Sequence, residues 1–165
     1  MGANAGGDLK VNLGSGVHPW PGFVNVDLNG EADINAPVNK LPFDDGEVEE
    51  LHAIHLFEHL HRAESVFVLA EWRRVLKSGG RLVLELPSLD KIVRMISEGV
   101  EDRRLTIMGL YGDPNDPKPD MLHKWGWSNK EIMEVLLSAG FKDIKIMNPV
   151  FHIPKRDMRV EAVVP

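Results

Sequence analysis

Pro19 and Pro21 constrain this chain more than any other residues. They stand between two short apolar runs, residues 9–13 and 23–27, and the first run closes on Gly14-Ser15-Gly16. A short apolar run that ends at a glycine turn reads as a buried strand. Proline lacks the N–H that a helix interior needs and clashes with the preceding turn, so no ordinary helix fits between these two strands. Eleven positions take the chain from Gly16 to Asp27, whereas a dinucleotide-binding unit uses about 20, because a helix lies between. Fully extended, residues 15–22 reach roughly 27 Å, against roughly 17 Å for a five-residue strand. The segment therefore returns as an extended loop and starts a second strand parallel to the first. With the helix goes the N-terminal dipole that binds pyrophosphate, which favours a ligand without phosphates. The glycines let the backbone approach such a ligand. Asp27 stands where ligands of open parallel sheets sit, placed to accept hydrogen bonds from ribose hydroxyls.

The rest of the chain alternates. Residues 32–34 form a third, weaker strand, 41–46 a turn, and 48–55 a fourth strand. Residues 62–77 carry Val66, Leu69, Ala70, Trp72, Val75 and Leu76 at mostly helical spacing, with Gly79 as the C-terminal cap. A strand at 80–87 and helices at 88–97 and 101–108 follow. Residues 109–127 are rich in Pro, Gly and Asp and read as a long loop, a feature that usually carries function in a small domain. Ser128-Asn129-Lys130-Glu131 is a capping box for a helix to Ala139, stopped by Gly140. Strands at 143–147 and 158–164 end the chain. The alternation predicts one α/β domain over residues 8–165 with a Rossmann-like, mostly parallel sheet whose first crossover helix is missing. Residues 1–7 are small and expected to be disordered.

Composition narrows the functions. The net charge of −6 and the lack of any basic run beyond Arg73-Arg74 and Arg103-Arg104 remove nucleic acid from the expected partners. No apolar run approaches a membrane span. Cysteine is absent, which excludes disulfides, thiolate metal sites and cysteine nucleophiles and fits a cytoplasmic location.

His55-Leu56-Phe57-Glu58-His59-Leu60-His61 contains H-x-x-E-H, the ligand pattern of inverted zinc proteases. A zinc hydrolase would use His55 and His59 as ligands, Glu58 as general base and Glu131 or Glu134 to complete the site, on a helix through residues 55–59. The sequence instead brings a strand up to His55 and starts the next helix near residue 62. The stretch reads as the turn leaving strand four at the ligand edge, and no metal ligands are assigned. On this reading Phe57 and Leu60 pack under the turn, Glu58 pairs with a basic group such as Arg74, and His61 faces solvent.

VNLGSGVHPWPGFVNVDL, LPFDDGEVEELHAIHLFEHL and EWRRVLKSGGRLVLELPSLDKI resemble class I S-adenosylmethionine (SAM)-dependent methyltransferases, in particular small bacterial and phage members with a shortened first crossover. The resemblance spans about residues 9–147, and its most specific block is EHL…RVLK-GG-L. It implies a seven-stranded sheet with an antiparallel last strand and SAM as cofactor at the carboxyl edge. It also implies that Gly14, Ser15 and Gly16 face the methionine end, Asp27 the ribose and Leu28 the adenine, with the backbone of His55 and Leu56 against SAM. The chain departs from the family at Asn12, where an acid is usual, and after strand three, where Asn35 is the best polar candidate for the adenine.

Methyl transfer is a displacement at a sulfonium methyl, so the enzyme chiefly aligns the reactants, and a base is needed only if the acceptor arrives protonated. His123 leads the acceptor-side candidates, followed by Tyr111 and His59. Trp125 and Trp127 either pin the loop or stack on an acceptor. The Asn-Pro-Pro-aromatic motif of amino-group DNA methyltransferases is absent, and cytosine-C5 chemistry lacks its cysteine. The acceptor is left as a small molecule, a sugar or a protein side chain. The alternatives are a non-catalytic SAM-binding or regulatory module of the same fold and, more remotely, the zinc hydrolase.

Overall fold

Side chains alternate along each strand, and that alternation sorts this sheet into one apolar and one polar face. A computed structural model of the chain describes residues 8–165 other than 18, 29, 30, 117, 119 and 120. The segment expected to be disordered, residues 1–7, lies outside the described residues. Seven strands form one sheet: β1 (Lys10–Leu13), β2 (Val24–Asp27), β3 (Ile34–Asn35), β4 (Val48–Ile54), β5 (Leu76–Pro87), β6 (Lys142–Met147) and β7 (Asp157–Val163). Their order is β3-β2-β1-β4-β5-β7-β6. The first five are parallel, and β7 lies between β5 and β6, antiparallel to both. This is the expected mostly parallel sheet with its antiparallel last strand.

Val11, Leu13, Val26, Leu51, Ala53, Leu82, Leu84, Val160 and Ala162 belong to the hydrophobic core. Helices α1 (Ser65–Val75) and α4 (Asn129–Ser138) add Leu69, Trp72, Ile132 and Leu136 to it. Phe57 and Trp127 stack within the same core at 5.0 Å between ring centroids. The alternate positions carry Asn12, Asn25, Glu50, His52, Glu85 and Arg159, all buried.

No helix forms among the described residues between β1 and β2. Asn25 ties the short return instead. Its Oδ1 accepts from Trp20 N at 2.8 Å, and its Nδ2 donates to Trp20 O and Phe23 O at 3.2 and 3.1 Å. Trp20 then lies 5.3 Å from Phe23, 5.4 Å from His52 and 4.6 Å from Phe151, an aromatic cluster on the polar face.

Three helical expectations shift. Helix α1 starts at Ser65 and buries Ser65, Val68, Leu69, Trp72 and Val75, leaving Val66 and Ala70 exposed. The Trp72 indole donates to Val38 O at 2.9 Å and fixes the rotation of the helix. Gly79 is not its cap, because Leu76 already pairs with Val48 in the sheet; Gly79 N instead bonds Val164 O. Beyond α2 (Leu89–Ser97), the helix expected at 101–108 reduces to α3 (Ile107–Tyr111). There the Asp102 side chain accepts from Arg104 N at 2.9 Å, a local bond that competes with helix formation.

Candidate active site at the carboxyl edge

The strand order reverses between β1 and β4, and the loops leaving those two strands face one another, as ligand-binding loops do at a switch point. Gly14 and Gly16 have φ of +67° and +55°. Gly14 N bonds Val26 O at 2.8 Å, and Gly16 N donates to Asp27 Oδ2, also at 2.8 Å. A Cβ on Gly14 would come within 3.0 Å of Leu56 Cδ1, so both conformation and space call for glycine here. Ser15 is buried, and its Oγ meets no partner among the described residues. Leu28 is exposed beside this loop, and Asn35 Nδ2 donates to Leu28 O at 2.8 Å. Gly14, Ser15, Gly16, Asp27, Leu28, Asn35 and Leu56 thus gather at one edge, although the Asn35 amide nitrogen is already used to hold Leu28.

The turn after β4 is built on charge. His55 has φ +50°, an uncommon conformation for a residue with a Cβ. Three contacts hold it: its N–H to Glu85 O at 2.7 Å, Nδ1 to Glu58 Oε1 at 2.8 Å, and Nε2 to Asp157 Oδ2 at 3.3 Å. Asp157 in turn meets Arg156 Nε at 2.5 Å. Burial opposes the imidazolium, but the Glu58 and Asp157 carboxylates outweigh it and raise the His55 pKa to about 9. Burial likewise opposes ionisation of Glu58, and the charge of His55 reverses the balance and lowers its pKa.

This arrangement is not that of an inverted zinc protease. Residues 57–59 form a 3-10 turn, and no helix carries His55 and His59 together. Both nitrogens of His55 face carboxylates. Glu131 is engaged by Arg62 and Trp125, and Glu134 faces Lys130. The expected Glu58–Arg74 pair is also replaced. Arg74 binds Glu71, Asp45 and the carbonyls of Leu41 and Phe43, so the 41–46 turn captures it. Phe57 is fully buried, Leu60 packs on the core and His61 is exposed, as expected.

The long loop docks on this turn. Lys124 N and Trp125 N both donate to Glu58 O, at 2.8 and 3.2 Å. Trp127 is fully buried and pins the loop, while Trp125 stays partly exposed. His123 and His59 meet edge to face at 4.9 Å. His123 Nδ1 donates to Gly109 O at 3.1 Å, and His59 Nδ1 to Leu122 O at 3.2 Å. Burial lowers the pKa of His123, which favours the neutral ring. Tyr111, His123 and Trp125 line a cavity of about 310 Å³ with Leu89, Leu110 and Lys124. All three acceptor-side candidates therefore lie together, two on the cavity wall and His59 behind His123. Sequence reasoning missed Asp157, Arg156 and Glu85. The signal for Asp157 was the alternation Asp157, Arg159, Glu161 along a strand whose other positions are apolar; Arg156 precedes that strand and Glu85 lies on β5.

A family model described as a methyltransferase domain matches residues 14–84, from the glycine loop through most of β5. A SAM-dependent methyltransferase from Archaeoglobus fulgidus superposes with a TM-score of 0.67 at 15% identity, over 96% of this chain and 86% of that one. Residues 14–84 thus resemble a methyltransferase domain, and the chain as a whole has the fold of SAM-dependent methyltransferases. The class I methyltransferase fold recurs in a Haloferax volcanii putative methyltransferase in complex with a methyltransferase activator: TM-score 0.64, 17% identity, 96% of this chain and 82% of that one. It recurs again in a Haemonchus contortus phosphoethanolamine N-methyltransferase in complex with SAM: TM-score 0.61, 12% identity, 96% of this chain and 49% of that one. Among curated proteins no sequence matches this chain. The Archaeoglobus fulgidus neighbour is SAM-dependent, and the Haemonchus contortus enzyme is in complex with SAM. The edge fits such a group: two glycines in left-handed conformation, a buried serine hydroxyl without a partner, an acid ending β2 and an exposed apolar Leu28. No helix among the described residues is long and apolar enough to cross a membrane.

Proposed function

We propose that this chain is an active SAM-dependent methyltransferase that modifies a small-molecule or sugar acceptor. Gly14, Ser15, Gly16, Asp27, Leu28, Asn35 and the 55–56 turn would hold SAM, which supplies a sulfonium methyl already activated for displacement. The observation that carries this reading is the packed junction of the glycine loop, Asp27 and Leu56 at the switch point, with the loop that bears His123 docked on Glu58, two residues beyond Leu56. The chain's own part is to align and to take a proton. Gly109 O fixes the proton of His123 on Nδ1, which leaves a lone pair on Nε2 of a neutral ring, suited to receive the proton of an acceptor hydroxyl or amine. Tyr111 and Trp125 would bound the acceptor.

Calorimetry with SAM and S-adenosylhomocysteine tests the cofactor half; no binding at millimolar ligand would sink it. For the acceptor half, His123→Ala is expected to lower turnover by about 10²–10⁴-fold and to leave SAM affinity unchanged. A second reading, a SAM-binding module without catalysis, is favoured by one detail. Asn12, in place of the usual acid, donates to Asn25 Oδ1 at 3.0 Å and is tied up within the fold. SAM affinity without turnover across a broad acceptor panel would decide for that module.

A further inference from the structure

One atom each of Glu58, His59 and His123 lies within 4.8 Å of the others, close enough to share an ion. Two features show this to be more than a chance meeting. Glu58 is 2% exposed, and its Oε2 has no hydrogen-bond partner among the described residues. A buried carboxylate oxygen without a donor is costly, and a cation relieves that cost. Each imidazole, moreover, has given Nδ1 to a backbone carbonyl, His59 to Leu122 O and His123 to Gly109 O. A carbonyl only accepts, so in both rings Nδ1 carries a proton, and Nε2 is the nitrogen left to offer a lone pair to an ion. Metal-ligating histidines are oriented in this way, with the second nitrogen donating to a carbonyl or carboxylate.

We propose that Glu58, His59 and His123 bind a divalent transition-metal ion. Two imidazoles and one carboxylate suit zinc or ferrous iron and leave coordination positions open. His123 also lines the cavity that Tyr111 and Trp125 bound. The site bears on the acceptor half of the methyltransferase reading and rests on that reading only for its use: an ion held by His123 Nε2 takes that nitrogen out of the role of proton acceptor and selects instead an acceptor that presents an oxygen to the ion. The ligands are not those the H-x-x-E-H pattern suggests, since His55 gives way to His123, 64 positions further along from His59. The neighbouring group His55, His152 and Asp157 is a poorer site, because Glu58 and Asp157 occupy both nitrogens of His55 and Arg156 holds Asp157.

The test is zinc titration of the full chain after chelator treatment, by calorimetry, with cobalt absorption as a second readout. One ion per chain is expected. His59→Ala and His123→Ala should each weaken zinc binding by about tenfold or more and abolish the visible cobalt bands. His61→Ala and His152→Ala should leave both unchanged. Circular dichroism melts identify variants that fail to fold, and His59→Gln and His123→Asn replace them. Zinc binding that survives in folded His59 and His123 variants, or that disappears in His152→Ala, overturns the site, as does no binding by the native chain. SAM titration of the chelator-treated protein keeps the two readings apart. SAM binding without zinc binding rejects the ion and retains the methyltransferase; zinc binding without SAM binding does the reverse.

Discussion

The two halves of the carboxyl edge are held by different forces. On the β1–β2 side the loop is set by backbone hydrogen bonds, positive-φ glycines and one carboxylate that accepts from Gly16 N. On the β4–β5–β7 side, charge sets the turn: Glu58, His55, Asp157 and Arg156 follow one another in contact, all largely buried. A half built from backbone geometry loses ligand affinity when a side chain changes. A half built from buried charge loses stability first, because removing one member leaves another uncompensated.

That contrast can be broken in order of effect. Glu58→Gln removes the main counter-charge of His55 and should cost about 3–5 kcal/mol, as breaking a buried pair does, read by chemical denaturation; a loss under 1 kcal/mol would erase the distinction. Asp27→Ala on the other side should weaken SAM binding by about 10–100-fold while moving the melting temperature little. A variant that unfolds would make the two halves alike. The pH dependence comes next. His55 is held above its ordinary value, so its stabilisation is complete below about pH 6.5 and is lost as pH rises through about 9. The loss should be on the order of 2–3 kcal/mol, and in a melting series over roughly pH 6–10 the alkaline decline should flatten in His55→Asn. The smallest effect is expected of Gly14→Ala: about 1–2 kcal/mol of strain at positive φ, together with contact on Leu56. Unchanged SAM affinity in that variant would argue that the loop is not cofactor-facing.

The glycine-loop half was legible in the sequence as local structure because its signals are local. Gly14-Ser15-Gly16, the prolines and Asp27 lie within fourteen positions, and each residue type does there what its chemistry prescribes. The mostly parallel sheet followed from the alternation of strand and helix, and its seven strands and antiparallel end from the family resemblance. The charged half was not legible, because its pairs join distant positions. His55 meets Asp157 102 residues later, and His59 bonds the carbonyl of Leu122. Nothing local separates a Glu58 that pairs with Arg74 from one that pairs with His55. That choice was made by the 41–46 turn, which takes Arg74 for its carbonyls and for Asp45. The helix at 101–108 failed for the opposite reason: spacing suggested a helix, and a single Asp102 side chain bonded locally instead.

The aromatic cluster that replaces the first crossover helix has a bearing on how the chain is made. Trp20 leans on Phe151, which comes from the connection between β6 and β7. Strand β7, the seventh in sequence, is interior to the sheet, with β5 and β6 on either side. During synthesis the half that holds β1 to β4 therefore emerges with its polar face uncovered and β5 without its outer neighbour. It waits for almost the entire chain before Phe151 arrives. Contacts of such long sequence separation slow folding. Cofactor binding in this protein is accordingly a property of the finished chain, and a nascent chain stopped before residue 151 is expected to hold no SAM.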